Sequence, residues 1–384
     1  MLQFSKYQGL GNDFLLVDGR TGLSTPADAL SAVQEPETVR RLCDRRFGVG
    51  GDGLILALPP QGDGELRMRI FNADGSEPEM CGNGIRCLAR FLADSDGVAP
   101  GRSWRIETLA GEIVPELQSD GRIRVDMGRP LLDPPQVPTT LAYGPAGLPQ
   151  GELEVEGVRL AVAAAGMGNP HVVIPVTDLA MVELEILGPA LEHHPAFPAR
   201  TNVHFVQVLG ADHLVMRVWE RGAGPTLACG TGACATLAAC HLLGLSERSA
   251  RVDLPGGSLH IHWDDASGHL FMTGPAEAVF DGVLAPDLLG SGFKDVVQPQ
   301  EAIGTPELPQ PPIVEAASAS PGIDCSTACV NGCLRPEACA SAEARARVEA
   351  LLGGRSLDEL VDLATNSLES RTRSRFSAGA DPAG

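Results

Sequence analysis

Apolar and polar side chains alternate along several short stretches of the chain: 66–71 (LRMRIF), 104–108, 122–127, 202–208, 213–219 and 258–263. A period of two sends successive side chains to opposite faces, so these stretches predict half-buried β-strands. Two other stretches have a longer period. In IRCLARFLAD from Ile85 and ACATLAACHLL from Ala233, apolar residues recur every three or four positions, which predicts one buried helix in each half. Most connections are too short for a parallel β-α-β crossover, so hairpins are expected to dominate. The fold class that follows is α+β.

The two predicted helices sit in matching surroundings. MRIFNADGSEPEMCGNG begins at Met68 and MRVWERGAGPTLACGTG at Met216, each with its cysteine thirteen positions after the Met, and the copies lie 148 residues apart. Upstream, GLGN (Gly9 to Asn12) matches GMGN (Gly166 to Asn169); downstream, TLAG at 108 matches LPGG at 254, and DMG ending at Gly128 matches MTG ending at Gly274. Four landmarks in the same order point to a duplicated domain.

In each copy a cysteine stands just before Gly-x-Gly and the helix, as Cys81 and Cys229. The glycines let a ligand approach the backbone, and the first amides of a helix form an anion site. A thiol there feels the positive end of the helix, which is expected to lower its pKa below ~8.5. Two facing halves would bring one such sulfur to each side of a bound molecule. One thiolate then removes a proton from carbon while the other thiol protonates the opposite face, which inverts the centre. Single buried cysteines capping helices would be the plainer reading, but equivalent places in two copies argue against it.

Charge and cysteine content narrow the field. With 29 basic and 49 acidic residues the formal charge is −20, which disfavours a nucleic-acid partner and favours a small-molecule one. No apolar run reaches the ~18 residues of a membrane span, and the N-terminus has no apolar signal core. We therefore expect a cytoplasmic protein whose ten cysteines are thiols or ligands rather than disulfides. Cys43, Cys87, Cys234 and Cys240 read as core, as do Met68 and Met216.

The stretches GLGNDF, DRRFGVGGDGL, RIFNADGSEPEMCGNGIRC, MGNPH, RTNVHFVQV and RVWERGAGPTLACGTGACA, spread over roughly residues 1 to 283, closely resemble the diaminopimelate epimerase family. The resemblance implies interconversion of LL- and meso-2,6-diaminopimelate without pyridoxal phosphate or metal, by a homodimer. It implies two pseudo-symmetric lobes, each a mainly antiparallel β-roll around a central helix. Residues 1–130, completed by about 275–290, would form the N-terminal lobe and 131–274 the C-terminal lobe. Cys81 and Cys229 are implied as the acid/base pair. The amides of Gly82, Asn83, Gly230 and Thr231 would hold the reacting carboxylate. Asn12, Asn72, Asn169, Asn202, Glu220 and Arg221 would recognise the ammonium groups and the far end, with His171 and Glu220 beside the thiols. Asn72 and Glu220 each stand nine residues before their cysteine, so the duplication places both next to a sulfur. Gly53 departs from part of the family, which has a substrate-touching glutamine there.

Beyond the resemblance, 296–322 reads as a Pro- and Ala-rich linker and 323–384 as a helical or partly disordered tail. It carries Cys325, Cys329, Cys333 and Cys339, whose spacing is unlike a paired zinc motif, and Arg371, Arg373 and Arg375. Three rivals remain at this point. One is a proline or hydroxyproline isomerase of the same fold. Another is a thiol redox or metal-binding protein, though a soft metal at Cys81 or Cys229 would want more thiolate or imidazole ligands close by. The third is a non-catalytic amino-acid binding module, which would need no thiol on each face.

Overall fold

In the computed structural model, residues 2–20, 27–285 and 288–289 are described; the linker and the tail with its cysteines and arginines lie outside them. The first half runs β1 (Leu2–Gly9), β2 (Asn12–Asp18), α1 (Ala27–Ala32), α2 (Pro36–Cys43), β3 (Gly53–Leu58), β4 (Leu66–Asn72), α3 (Gly82–Asp96), β5 (Ile106–Thr108), β6 (Gly111–Ile113), β7 (Pro115–Leu117) and β8 (Ile123–Asp126). The second runs β9 (Gln150–Val155), β10 (Val158–Gly166), β11 (Pro170–Val176), α4 (Leu184–Glu192), β12 (Asn202–Gly210), β13 (His213–Glu220), β14 (Gly224–Thr226), α5 (Gly230–Leu242), β15 (Ser249–Leu254), β16 (Gly257–Trp263), β17 (Leu270–Gly274) and β18 (Glu277–Leu284). All six alternating stretches contain strands, and both periodic stretches lie within helices that begin immediately after Cys81 and Cys229.

The strands form two sheets, β18-β1-β2-β3-β4-β5-β6 and β7-β8-β17-β16-β15-β13-β12-β11-β10-β9, with β14 on β13. The pairing pattern is duplicated. In order, β1 to β6 pair antiparallel, parallel, antiparallel, parallel, antiparallel. The series β10, β11, β12, β13, β15, β16 repeats that sequence of senses. The sheets are mainly antiparallel, in line with the expectation that hairpins dominate, and each half also contains two parallel steps. The parallel step from β4 to β5 is a crossover carrying α3, and that from β13 to β15 carries α5. Each cysteine therefore sits where a chain leaves a strand and enters a crossover helix.

Strand β18 returns to pair with β1, as the resemblance implied for the last strand. β7 and β8, although early in the chain, join the larger sheet through β17. There Val125 faces Met272 and Asp126 faces Phe271. A shift of 146 residues, the one separating the downstream landmarks, carries Val125 onto Phe271 and Asp126 onto Met272. Exchanging the halves thus exchanges these two rungs, and the local twofold passes between them.

Each helix is buried in its roll. Ile85, Leu88 and Leu92 of α3 are fully buried, as are Ala233, Leu237 and Ala238 of α5. Side chains such as Leu88 and Leu92 each contribute about 1.5–3 kcal/mol by leaving water. α5 is buried almost all round, mostly by alanines and glycines, which lets strands approach it closely. Met68 and Met216 are core residues, and so are Cys43, Cys87, Cys234 and Cys240. Among the described residues no helix is long and apolar enough to cross a membrane.

Candidate active site

The two helix N-termini meet. A Cβ added to Gly82 would lie 3.9 Å from the Gly230 Cα, and the converse contact is also 3.9 Å, with the Met272 side chain packed against both. The tighter contact is with Met272, whose Sδ would stand 2.9 Å from a Cβ on Gly230. Cys81 and Cys229, each one residue earlier, are thereby brought to one junction, each in extended backbone as the N-cap of its helix. The first amides of each helix have no intrahelical acceptor, so two sets of N–H donors and two positive helix ends converge.

The sulfurs are not equivalent. The Cys81 Sγ accepts from the Gly84 amide at 3.4 Å and is partly buried. The Cys229 Sγ is 3.6 Å from the Thr231 hydroxyl; the residue is 5% exposed and lies within the influence of the Glu220 carboxylate. Burial pushes the Cys81 thiol up from its ordinary value, opposed by the Gly84 and Asn83 amides and by the Arg86 cation. Burial also pushes Cys229 well up, and the Glu220 carboxylate adds to it. The expected lowering of both pKa values is therefore corrected: loss of water outweighs the helix ends. Glu220 is itself raised by burial while its Oε1 accepts from the Thr226 hydroxyl at 2.6 Å.

The asparagines form two groups. Asn83 donates through Nδ2 to the Asn12 Oδ1 (3.3 Å) and to the carbonyl of Ala228 (3.4 Å), and accepts at Oδ1 from Arg86 (2.8 Å). It thus ties α3 to the residue preceding Cys229. Asn12 in turn donates to Asp52 at 2.7 Å. In the other half, Asn202 donates to the Pro170 carbonyl at 2.9 Å and accepts the Arg221 amide at 3.0 Å. The Arg221 side chain is exposed and donates to the Ala199 carbonyl at 3.0 Å. Asn72 is exposed and donates to the Ser76 hydroxyl at 2.9 Å. The Glu220 carboxylate of the other half also raises Cys81.

His171 lies between Asn169 and a second histidine. Its Nε2 is 2.8 Å from the Asn169 Oδ1, and its Nδ1 is 2.8 Å from the His204 Nε2. The amide oxygen only accepts, so Nε2 of His171 carries the proton and its Nδ1 accepts from His204. The His204 Nδ1 then has a bare lone pair, buried with no partner. Burial holds both rings neutral, His171 well below its ordinary value and His204 at about 3.

Reading the sequence did not single out His204 or Arg86. Arg86 is wholly buried and donates to the carbonyls of Gly82 (2.9 Å) and Pro275 (3.3 Å) besides Asn83. Their places in CGNGIRC and RTNVHFVQV were the available signals. At Gly53 a Cβ would stand 2.4 Å from the Phe71 carbonyl oxygen, so the backbone here leaves no room for a glutamine. No metal was expected at this site, yet among the described residues His171, His204 and Cys229 bring ligand atoms within 4.8 Å of one another.

A family model described as diaminopimelate epimerase matches residues 4–132 and 163–279. The chain is 60% identical over 303 residues to a diaminopimelate epimerase of Prochlorococcus marinus (strain MIT 9313), covering 79% of this chain and 99% of that one. It is 54% identical over 284 residues to diaminopimelate epimerase 1 of Nostoc sp. (strain PCC 7120), covering 74% and 99%. Among solved structures it is similar to a hydroxyproline epimerase from Agrobacterium vitis, with TM-score 0.52, 16% identity and coverage of 73% and 91%. It is also similar to a phenazine biosynthesis protein of the PhzF family from Bacillus anthracis, with TM-score 0.51, 17% identity and coverage of 74% and 99%. At such identities these two establish the fold alone.

Proposed function

This chain belongs to the diaminopimelate epimerase family, and from that premise we propose that Cys81 and Cys229 are the base and acid with which it interconverts LL- and meso-2,6-diaminopimelate. The reaction is an isomerisation in the supply of lysine and peptidoglycan precursors. The observation that carries the assignment is the abutment of Gly82 on Gly230, which sets the two N-capping thiols at one junction.

The reacting carboxylate lies against the amides of Gly82, Asn83, Gly230 and Thr231. When the α-proton leaves, its electron pair delocalises into that carboxylate, and the two helix ends stabilise the added charge. Cys81, with amide donors and Arg86 nearby, is the better thiolate; Cys229, beside Glu220, is held as the thiol. Cys81 takes the proton from one face and Cys229 delivers one to the other. The roles reverse in the opposite direction. Burial raises both thiols, which costs thiolate population but makes the thiolate a stronger base toward a weakly acidic C–H. Asn12, Asn72, Asn169, Asn202, Glu220 and Arg221 bind the ammonium groups and distal carboxylate, with His171 supporting. No cofactor enters this scheme.

We also propose a cytoplasmic homodimer. Val279, Phe280 and Val283 on the edge strand β18 are exposed, and light scattering on the purified chain tests the dimer. Residues 1–130 with 275–290, and 131–274, are the proposed lobes. For the activity, a panel of diaminopimelate, proline and hydroxyproline decides. We expect turnover of diaminopimelate alone, lost in Cys81→Ser and in Cys229→Ala. Turnover of proline without diaminopimelate would replace this reading with the cyclic-substrate one.

A further inference from the structure

Around Cys229 the second half has what the first half lacks. The strand registers make Phe14 the counterpart of His171 and Ile55 the counterpart of His204, since Phe14 pairs with Gly53 where His171 pairs with Asn202. Cys81 therefore has apolar residues where Cys229 has two imidazoles. All three groups are buried, and one ligand atom from each lies within 4.8 Å of the others. Gly232 keeps the space between them open. A Cβ there would fall 2.7 Å from the His204 Nε2 and 3.1 Å from the Cys229 Sγ. The His204 Nδ1, buried with no partner, can take up the proton that Nε2 must release if Nε2, the nitrogen facing Gly232 and His171, is to ligate.

We propose that His171, His204 and Cys229 form a site for a zinc-class divalent cation, and that its occupation switches the enzyme off. The donor set, two imidazoles and one thiolate, suits a borderline cation rather than calcium or magnesium. Three protein ligands leave the fourth tetrahedral position to water. Bonds of ~2.0–2.3 Å place tetrahedral donors roughly 3.3–3.6 Å apart, so the thiolate must close on the imidazoles by about 1 Å, while the two ring nitrogens, now 2.8 Å apart, must part slightly and give up their hydrogen bond. Each histidine binds as a neutral imidazole, one nitrogen ligating and the other keeping the proton. On His171 the retained Nε2–H stays on the Asn169 oxygen and orients the ring. The Cys229 S–H bond breaks, an S–metal bond forms, and one proton passes to solvent. No electron is transferred. Bound in this way, Cys229 has neither a proton to give nor a free pair to accept one, so metal and substrate exclude each other. The inhibition rests on Cys229 acting as proposed above; the binding does not.

The test uses the reduced, chelator-stripped full chain. Since Cys325, Cys329, Cys333 and Cys339 are additional thiols, the readout is the difference between the parent and His204→Ile, which installs the residue of the symmetry-related position. Zinc is titrated against a chromophoric chelator. One zinc per chain should be lost in the variant or weakened at least about 100-fold, the upper end of what removing even an outer-shell partner costs. Calorimetry in buffers of different ionisation enthalpy should give about one proton released for that zinc. Zinc should inhibit diaminopimelate turnover by the parent, reversibly with EDTA, and inhibit the variant only at correspondingly higher concentration relative to its own metal-free rate. His204→Gln provides a second variant if isoleucine disturbs folding. Equal zinc stoichiometry, affinity and inhibition in the parent and a folded variant overturn the site. A metal-free parent that fails to turn over diaminopimelate would instead overturn the proposed reaction, with the chelator competition still readable.

Discussion

Cys81 and Cys229 cap equivalent helices in a duplicated frame, yet their neighbours differ at four corresponding strand positions. Phe14, Gly53, Ile55 and Asn72 stand on the first side where His171, Asn202, His204 and Glu220 stand on the second. The shared backbone scheme is what the proposed reaction requires, since it needs both sulfurs to reach one carbon from opposite faces. In the proposed reaction the divergence of the side chains fits a reacting carbon whose ammonium group and aliphatic arm face the two sides unequally. What results is a thiol held by amides on one side and a thiol held by a carboxylate on the other. A two-base reaction can use that asymmetry to keep one sulfur charged and the other protonated.

Substituting the sulfurs is the harshest way to break the comparison. Cys81→Ala and Cys229→Ala should each lower kcat by at least 10²–10⁴-fold, the range for loss of a general acid or base, in a steady-state assay of LL-diaminopimelate. Next come the counterparts nine residues upstream. Glu220→Gln removes the charge that raises Cys229. It should cut kcat about tenfold or more and move the alkaline limb of the pH profile to lower pH. Asn72→Ala, at an exposed residue bonded to Ser76, should change kcat less and act mainly on KM. In the parent, kcat/KM should fall as pH drops from 9 to 6, because burial keeps both thiols protonated.

Smaller effects sharpen the contrast in packing. Gly232→Ala would place a Cβ 2.3 Å from the rigid His204 ring, whereas Gly84→Ala meets the movable methyl end of Ile70 at 2.8 Å. Urea denaturation should show about 1–3 kcal/mol of destabilisation for the first and less than about 1 for the second. The two sides also differ in the pH slope of stability. His204 is neutral when folded, with its pKa at about 3, and ordinary when unfolded. The unfolded chain binds the extra proton below ~6.5, so this contribution is complete above that pH and is lost as pH falls toward 3. Between pH 6 and 4, His204→Ile should flatten the loss by up to about 1.4 kcal/mol per pH unit.

Much of this was legible in the residues. Alternation in LRMRIF and HLVMRVW, and the three-to-four period after each Cys-Gly, located strands and helices to within a few positions. The repeat spacing placed the cysteines as equivalents. Other features arise only from tertiary contact. Parallel steps were missed because connection length was judged strand by strand, although α3 and α5 are themselves the crossovers. The direction of the thiol pKa values was missed because a helix end is visible in sequence and burial is not. His204 reads as one more inward residue of an alternating strand, and only the register beside β11 puts it on His171. Gly53 was visible as a departure, but its cause is the Phe71 carbonyl oxygen across the β3–β4 pair.

Isotope exchange during turnover tests the opposed pair of bases most directly. LL-diaminopimelate is incubated with the enzyme in deuterium oxide, and both isomers are recovered before a tenth of the substrate has reacted. The account predicts one deuterium at the inverted α-carbon of the meso product and almost none in the remaining LL substrate. Deuterium appearing equally in both isomers from the earliest times, or product keeping the original hydrogen, would mean that a single group shuttles the proton, and would contradict it.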